Sequence, residues 1–179
     1  MKKKNYFKGI SCTCCNGKSN YIYMKNFVKS EKNLTFSNLL QNNNYPLFIE
    51  VMLKNFFKRK VIIVANKNHD HLKLPFNVKK KFNIGQNCFI NDFNLIKKIK
   101  KFIKSNKIKN HVFLISASSL SNILIMELFK DFEKNTYIDV GSTLNPYYNK
   151  SILSKSRSYL SEYWLKSNSS AHLNKVCYW

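Results

Sequence analysis

The segment from His111 to Asn145 limits the fold of this chain more tightly than any other. Val112-Phe-Leu-Ile115 is a short unbroken apolar run, the pattern of a strand buried on both faces. Ser116-Ala-Ser-Ser119 follows, with small side chains where the chain must turn. Leu120, Ile123, Leu124, Met126, Leu128 and Phe129 then recur at helical spacing, and Ser119 or Ser121 is placed to cap the first turn. Tyr137-Ile-Asp-Val140 returns to the strand pattern and runs into Gly141 and Ser142. Two parallel strands joined by one helix make a βαβ unit. Ligands of such units bind beyond the carboxyl ends of the strands, where the helix N-terminus offers free N–H groups. Both small-residue turns fall at that edge, which points to nucleotide or phosphate binding. The turn is neither G-x-G-x-x-G nor a P-loop, so no mechanism follows from the motif alone, and the same unit also serves as plain scaffold.

The rest of the chain extends this pattern. Tyr45-Pro46 opens a helix whose buried face is expected to carry Phe48, Ile49, Met52, Phe56 and Phe57, closed by Lys58-Arg59-Lys60 at the negative end of its dipole. Val61-Ile-Ile-Val-Ala65 is a second buried strand, followed by the loop Asn66 to His71. Phe76 to Ile84 reads as a partly exposed strand with Lys79 to Lys81 on its solvated part. Asn91 or Asp92 is predicted to cap a helix that buries Leu95, Ile96, Ile99, Phe102 and Ile103 and turns Lys97, Lys98, Lys100 and Lys101 to water. The alternation predicts an α/β fold, a Rossmann-like parallel sheet flanked by helices. Residues 1–33 are read as an irregular N-terminal segment and residues 34–179 as one domain. Within the latter, Leu34 to Gln41 is expected to be a short helix begun near Thr35. A second short helix is expected around Tyr159 to Leu165, and an edge strand at Lys175 to Trp179.

A formal charge of +22 invites a nucleic-acid reading, but all basic residues except Arg59 and Arg157 are Lys. Readers of phosphate and guanine draw on the planar fork of Arg. The abundance of Asn, Lys, Ile, Phe and Tyr instead fits a broad compositional drift, so no specific nucleic-acid partner is expected. No apolar stretch reaches the length of a membrane span, and no signal-peptide core follows the charged start, which predicts a cytoplasmic location. Cys12, Cys14 and Cys15 are crowded while Cys88 and Cys177 stand apart, which lacks the two spaced pairs of a structural zinc site. His69-Asp-His71 reads as polar loop.

Among nine acidic residues Asp139 stands out, because it ends a buried strand and precedes a Gly-Ser turn. At that edge a carboxylate can accept hydrogen bonds from sugar hydroxyls, act as a base or hold a metal; capping the neighbouring turn is the alternative. Arg157 offers bidentate geometry for a phosphate or carboxylate.

Two longer runs then carry a resemblance: Phe113-Leu-Ile-Ser-Ala-Ser-Ser-Leu-Ser-Asn-Ile-Leu-Ile and Asn135-Thr-Tyr-Ile-Asp-Val-Gly-Ser-Thr-Leu-Asn-Pro146. Together with Asn42-Asn-Asn-Tyr45, Val64-Ala-Asn66, Leu74-Pro-Phe76, Ser156-Arg-Ser-Tyr159 and Val176-Cys-Tyr-Trp179, they resemble the C-terminal part of GT-D-fold glycosyltransferases. The resemblance implies transfer of a sugar from a nucleoside-diphosphate donor to a polysaccharide or glycoprotein acceptor, with a divalent metal, Mn or Mg. It implies a donor site of Asn66, Ser116, Ser118, Ser119, Ser121, Gly141, Ser142 and Arg157, with Asp139 as the catalytic acid–base or metal-holding group. The family's acidic D-x-E motif has no counterpart, since Glu31 is the first acid. Ser118-Ser119 stands where the family often has glycine and proline, and Asn145 where aspartate is common. The expectation is a chain that begins after the acidic motif and keeps the donor scaffold. It would act as an impaired transferase, or as a non-catalytic binding module beside a complete transferase or a second copy. A basic RNA-binding protein is the third and weakest alternative.

Overall fold

The computed structural model describes residues 5–28, 31–37, 39–40 and 44–148, which divide into two compact units at Ile49 and Glu50. In the first unit β1 (Lys8–Ile10) pairs in parallel with β2 (Leu34–Phe36), and α1 (Thr13–Phe27) lies between them in sequence. Both expectations for this region are corrected: residues 8–27 are not irregular, and Leu34 begins a strand instead of a helix. The stretch Leu34-Thr-Phe36 is short, branched and aromatic, and it gains backbone partners on β1 that an isolated helical turn would lack. Gly9 permits the close approach, since a Cβ there would lie 3.1 Å from the Ser37 Cα. α1 carries no amphipathic pattern in its sequence, because Ile22, Tyr23 and Phe27 stay exposed and Gly17 breaks the helix at φ 75°.

Three consecutive helical pieces follow: α2 (Tyr45–Leu47), a π-helical turn (Phe48–Met52) and α3 (Leu53–Phe56). Tyr45, Phe48, Leu53 and Phe56 are buried, whereas Phe57 is 55% exposed, contrary to expectation. The π turn inserts one residue per turn, so the position below Phe48 falls on Leu53 and not on Met52.

The second unit is built on four parallel strands, β3 (Lys60–Asn66), β4 (Val78–Ile84), β5 (His111–Ile115) and β6 (Thr136–Asp139), in the order β4-β3-β5-β6. A turn and a 3-10 helix (His71–Lys73) join β3 to β4. The β4–β5 crossover carries α4 (Cys88–Asn91) and α5 (Leu95–Ser105), and the β5–β6 crossover carries α6 (Ser119–Asp131). A last short helix, α7 (Asn145–Tyr148), follows β6. The expected α/β architecture, a parallel sheet flanked by helices, is therefore present. Expectations for Tyr159 to Leu165 and Lys175 to Trp179 lie outside the described residues. Among the described residues no helix is long and apolar enough to cross a membrane.

Ile62 and Val64 of β3 and Phe113 and Ile115 of β5 pack with Ile99 and Ile103 of α5 and Leu120, Leu124 and Leu128 of α6. The alternate residues Val61, Ile63 and Leu114 are buried as well, so both central strands are covered on both faces. β4 is one edge of the sheet, and its exposed Lys79 and Lys80 discourage pairing with another chain there. The cap of α5 is Asn94 rather than Asn91 or Asp92, because the Asp92 carboxylate instead accepts the Gly85 N–H at 2.8 Å. Nor do all the α5 lysines face water. Lys100 crosses to α6 and meets Glu127 at 2.6 Å and Asp131 at 2.8 Å, and these two carboxylates, Asp131 foremost, raise its pKa.

The start of β5 depends on one buried amide. Asn135 accepts the His111 N–H at 3.0 Å and donates to the Ile108 carbonyl at 3.1 Å, joining the approach to β6 to the approach to β5. Asn135→Ala should lower unfolding free energy by about 1–2 kcal/mol, because two half-buried backbone groups lose their partner. Urea denaturation reads this, and an unchanged midpoint would mean that the amide ties nothing together.

Candidate functional site

In the order β4-β3-β5-β6 the chain leaves β3 for one neighbour and later returns to the other, so the connections diverge between β3 and β5. At such a switch point the carboxyl ends of the strands leave a crevice. A cleft of about 620 Å³ opens there. Its lining follows the strand order: Ile84 and Gly85 end β4, Asn66 ends β3, Ser116 ends β5, and Gly141 and Ser142 follow β6. Ser118 and Ser119 add the start of α6, residues 87–90 the start of α4, and His69 and Asn145 complete the rim.

The structure thus brings together six of the nine residues singled out in the sequence: Asn66, Ser116, Ser118, Ser119, Gly141 and Ser142. The Ser116 hydroxyl donates to the Gly141 carbonyl at 2.6 Å, fastening the turn after β5 to the turn after β6. Asn66 accepts the Asn68 N–H at 2.9 Å and so shapes the loop that carries His69. Ser121 does not line the cleft. It is fully buried, and its oxygen accepts the Ala117 N–H at 2.9 Å. Asp139 is also absent from the lining: its carboxylate accepts the Gly141 N–H at 3.0 Å. This is the turn-capping arrangement, and it makes Asp139 a positioning residue for the turn that holds Gly141 and Ser142. Arg157 lies outside the described residues.

Ser118 sits at φ 50° and ψ −139°, a backbone region that suits glycine and strains any residue with a Cβ. In the first turn of α6 the Leu120 and Ser121 N–H groups bond to the Ala117 and Ser118 carbonyls. The amides of Ser118 and Ser119 have no protein acceptor among the described residues, and they stand at the positive end of a thirteen-residue helix.

Sequence reasoning missed the α4 contribution. Cys88 is buried and its thiol donates to the Ala117 carbonyl at 3.2 Å; burial and then Asp92 push its pKa up, so it is an anchor and no nucleophile. His69 is more than ordinary loop, since its ring stacks on Tyr148 with centroids 4.4 Å apart. Burial and the Lys81 charge lower its pKa, which keeps the imidazole neutral at pH 7. No local sequence signal separates it from His71.

The donor set does not suit the implied Mn or Mg. No Asp or Glu lines the cleft, and among the described residues no three His, Cys, Asp or Glu side chains gather as a metal site. Such hard cations bind through carboxylate oxygens, so no step is assigned to a metal here. No family model, curated protein or solved structure matches the chain.

Two outcomes follow for stability. Ser118→Gly should raise it by about 1 kcal/mol, the relieved strain exceeding the added chain entropy; a lower melting temperature would show that the serine side chain is needed more than the strain is felt. For Asp139, desolvation raises the carboxyl above its ordinary 3.8, opposed by the bond from the Gly141 N–H, and because the residue is exposed the effect on stability is small. Stability from the neutral form is therefore full below the unfolded value and is lost as pH rises through the folded one. Asp139→Asn keeps an oxygen for the Gly141 N–H and cannot ionise. It should melt at or above wild type at neutral pH, the gap closing below about pH 4. A variant that melts lower at neutral pH would contradict this.

Proposed function

We propose that this chain binds a nucleoside-diphosphate sugar in the switch-point cleft, as the donor-binding part of a GT-D-like glycosyltransferase acting on a glycan or glycoprotein acceptor. One observation carries the reading: two small-residue turns, far apart in sequence, converge on a single cleft at the carboxyl edge of the parallel sheet. The backbone of the serine turn adds support. Ser118 occupies the glycine-like N-cap and Ser119 the first helical position, which are the places where the family's glycine and proline have their conformational reasons. In this proposal the Ser118 and Ser119 amides and the α6 dipole receive the diphosphate, and the Gly141–Ser142 turn, held by Asp139, borders the sugar.

Sugar transfer also requires that the acceptor hydroxyl lose a proton. The cleft supplies no carboxylate for this, and His69 is its one imidazole. That favours a second reading in which the chain is a donor-binding module whose acids come from a complete transferase or from another copy. A cytoplasmic place belongs to the same proposal.

Calorimetric titration of the full chain with nucleoside-diphosphate sugars, free sugars and sugar phosphates tests it. The nucleotide sugars should saturate the site and the free sugars should not. A folded sample that binds no nucleotide sugar at millimolar concentration would overturn the proposal.

A further inference from the structure

The β4 end of the cleft is built from different chemistry than the β5–β6 end. Cys88 fixes α4 in the core, and the residues beside it, Phe89 and Ile90, line the cleft while remaining 43% and 78% exposed. The Phe89 ring is braced edge-on by Phe93, with centroids 5.9 Å apart and planes at 72°. Asn87, which also lines the cleft, holds the left-handed conformation at φ 52° and ψ 42°, and its carboxamide makes no capping bond. An apolar lip anchored by a buried neighbour, braced in orientation and adjoined by an uncommitted amide is suited to a flat heterocycle with donors and acceptors on its edge. The other end of the same cleft presents serine hydroxyls and helix-terminal amides. The lining includes no Lys or Arg, although the chain has 31 basic residues, so polyanion attraction is not what this cleft is made for.

We infer that Phe89 and Ile90 form the seat of the nucleobase, with the Asn87 carboxamide reading its edge. The inference rests on the nucleotide-sugar reading and gives that ligand its direction: base over α4, phosphates at α6, sugar toward the turn after β6. Phe89 provides the stacking face, Ile90 covers the remaining apolar surface, and the Phe89–Phe93 contact holds the ring in place before the ligand arrives.

The test uses the full chain, wild type and variants, titrated calorimetrically with uridine diphosphate, adenosine diphosphate and glucose 1-phosphate, with sedimentation on the same samples. Phe89→Ala should weaken the diphosphates about tenfold, the usual consequence of losing one base–aromatic stack, and leave glucose 1-phosphate unchanged. Phe89→Tyr retains a stacking face and should restore the affinity. Asn87→Gly keeps the left-handed backbone, removes the carboxamide and should shift the preference between the two diphosphates. If wild type binds the diphosphates and Phe89→Ala binds them equally well, the base seat is wrong and the nucleotide reading stands. If Phe89→Ala alters only the oligomeric state, the lip is a contact between copies and the inference falls. If the folded wild type binds none of the three ligands, the nucleotide reading fails and takes this inference with it.

Discussion

Everything in the second unit depends on burying β3 and β5 from both sides. A strand covered on both faces has no water for its N–H and C=O groups, so each must find a partner on a neighbouring strand. Parallel neighbours on both sides of β3, and on both sides of β5, supply them. Parallel strands cannot be joined by tight hairpins, so each crossover from β4 onward carries a helix, and all the carboxyl ends emerge at one edge. The cleft is a consequence of that geometry before any side chain is chosen, and the small residues of the two turns are what keep it open.

How far the sequence could be read follows from the same physics. Val61 to Ala65 and Val112 to Ile115 were legible because double burial leaves an unbroken apolar run, and α5 because Leu95, Ile96, Ile99 and Ile103 repeat at helical spacing. The pairing of Lys8–Ile10 with Leu34–Phe36 was not, since three-residue strands bury too little to print a pattern and their partner is distant in sequence. The π turn at Phe48–Met52 leaves no mark on composition but shifts the buried face by one residue. Of the site, the serine and glycine turns were visible from their position after strands, but the assignment of individual polar side chains was not. Ser121 and Asp139 look alike as turn residues in the sequence, yet Ser121 is fully buried against the Ala117 N–H while Asp139 stays exposed with its carboxylate on the Gly141 N–H. The lip on α4 was invisible because Phe89 and Ile90 resemble core residues until their exposure is known.

The charge of the protein and the character of its cleft are separate matters. Lysines crowd the solvated side of α5 and the β4 edge, where they cost little and keep the sheet from pairing further. Where a lysine does meet a specific partner, as Lys100 meets Glu127 and Asp131, it joins two helices on the side of the domain and has no place in the ligand site. The cleft relies on backbone dipoles, hydroxyls and carboxamides, groups whose strength depends on orientation and hardly on ionic strength.

The bond from Ser116 to the Gly141 carbonyl has a consequence for what the cleft can recognise. A serine hydroxyl has one proton, and this one is already committed. Toward the cleft Ser116 therefore offers only lone pairs, so it is selective for groups that bring their own hydrogen, such as a sugar hydroxyl or a ring N–H, and unfavourable to a bare phosphate oxygen. The amides of Ser118 and Ser119 have the opposite preference. Within a few residues the chain sets an acceptor beside two donors, and that polarity fixes which way round a ligand must lie.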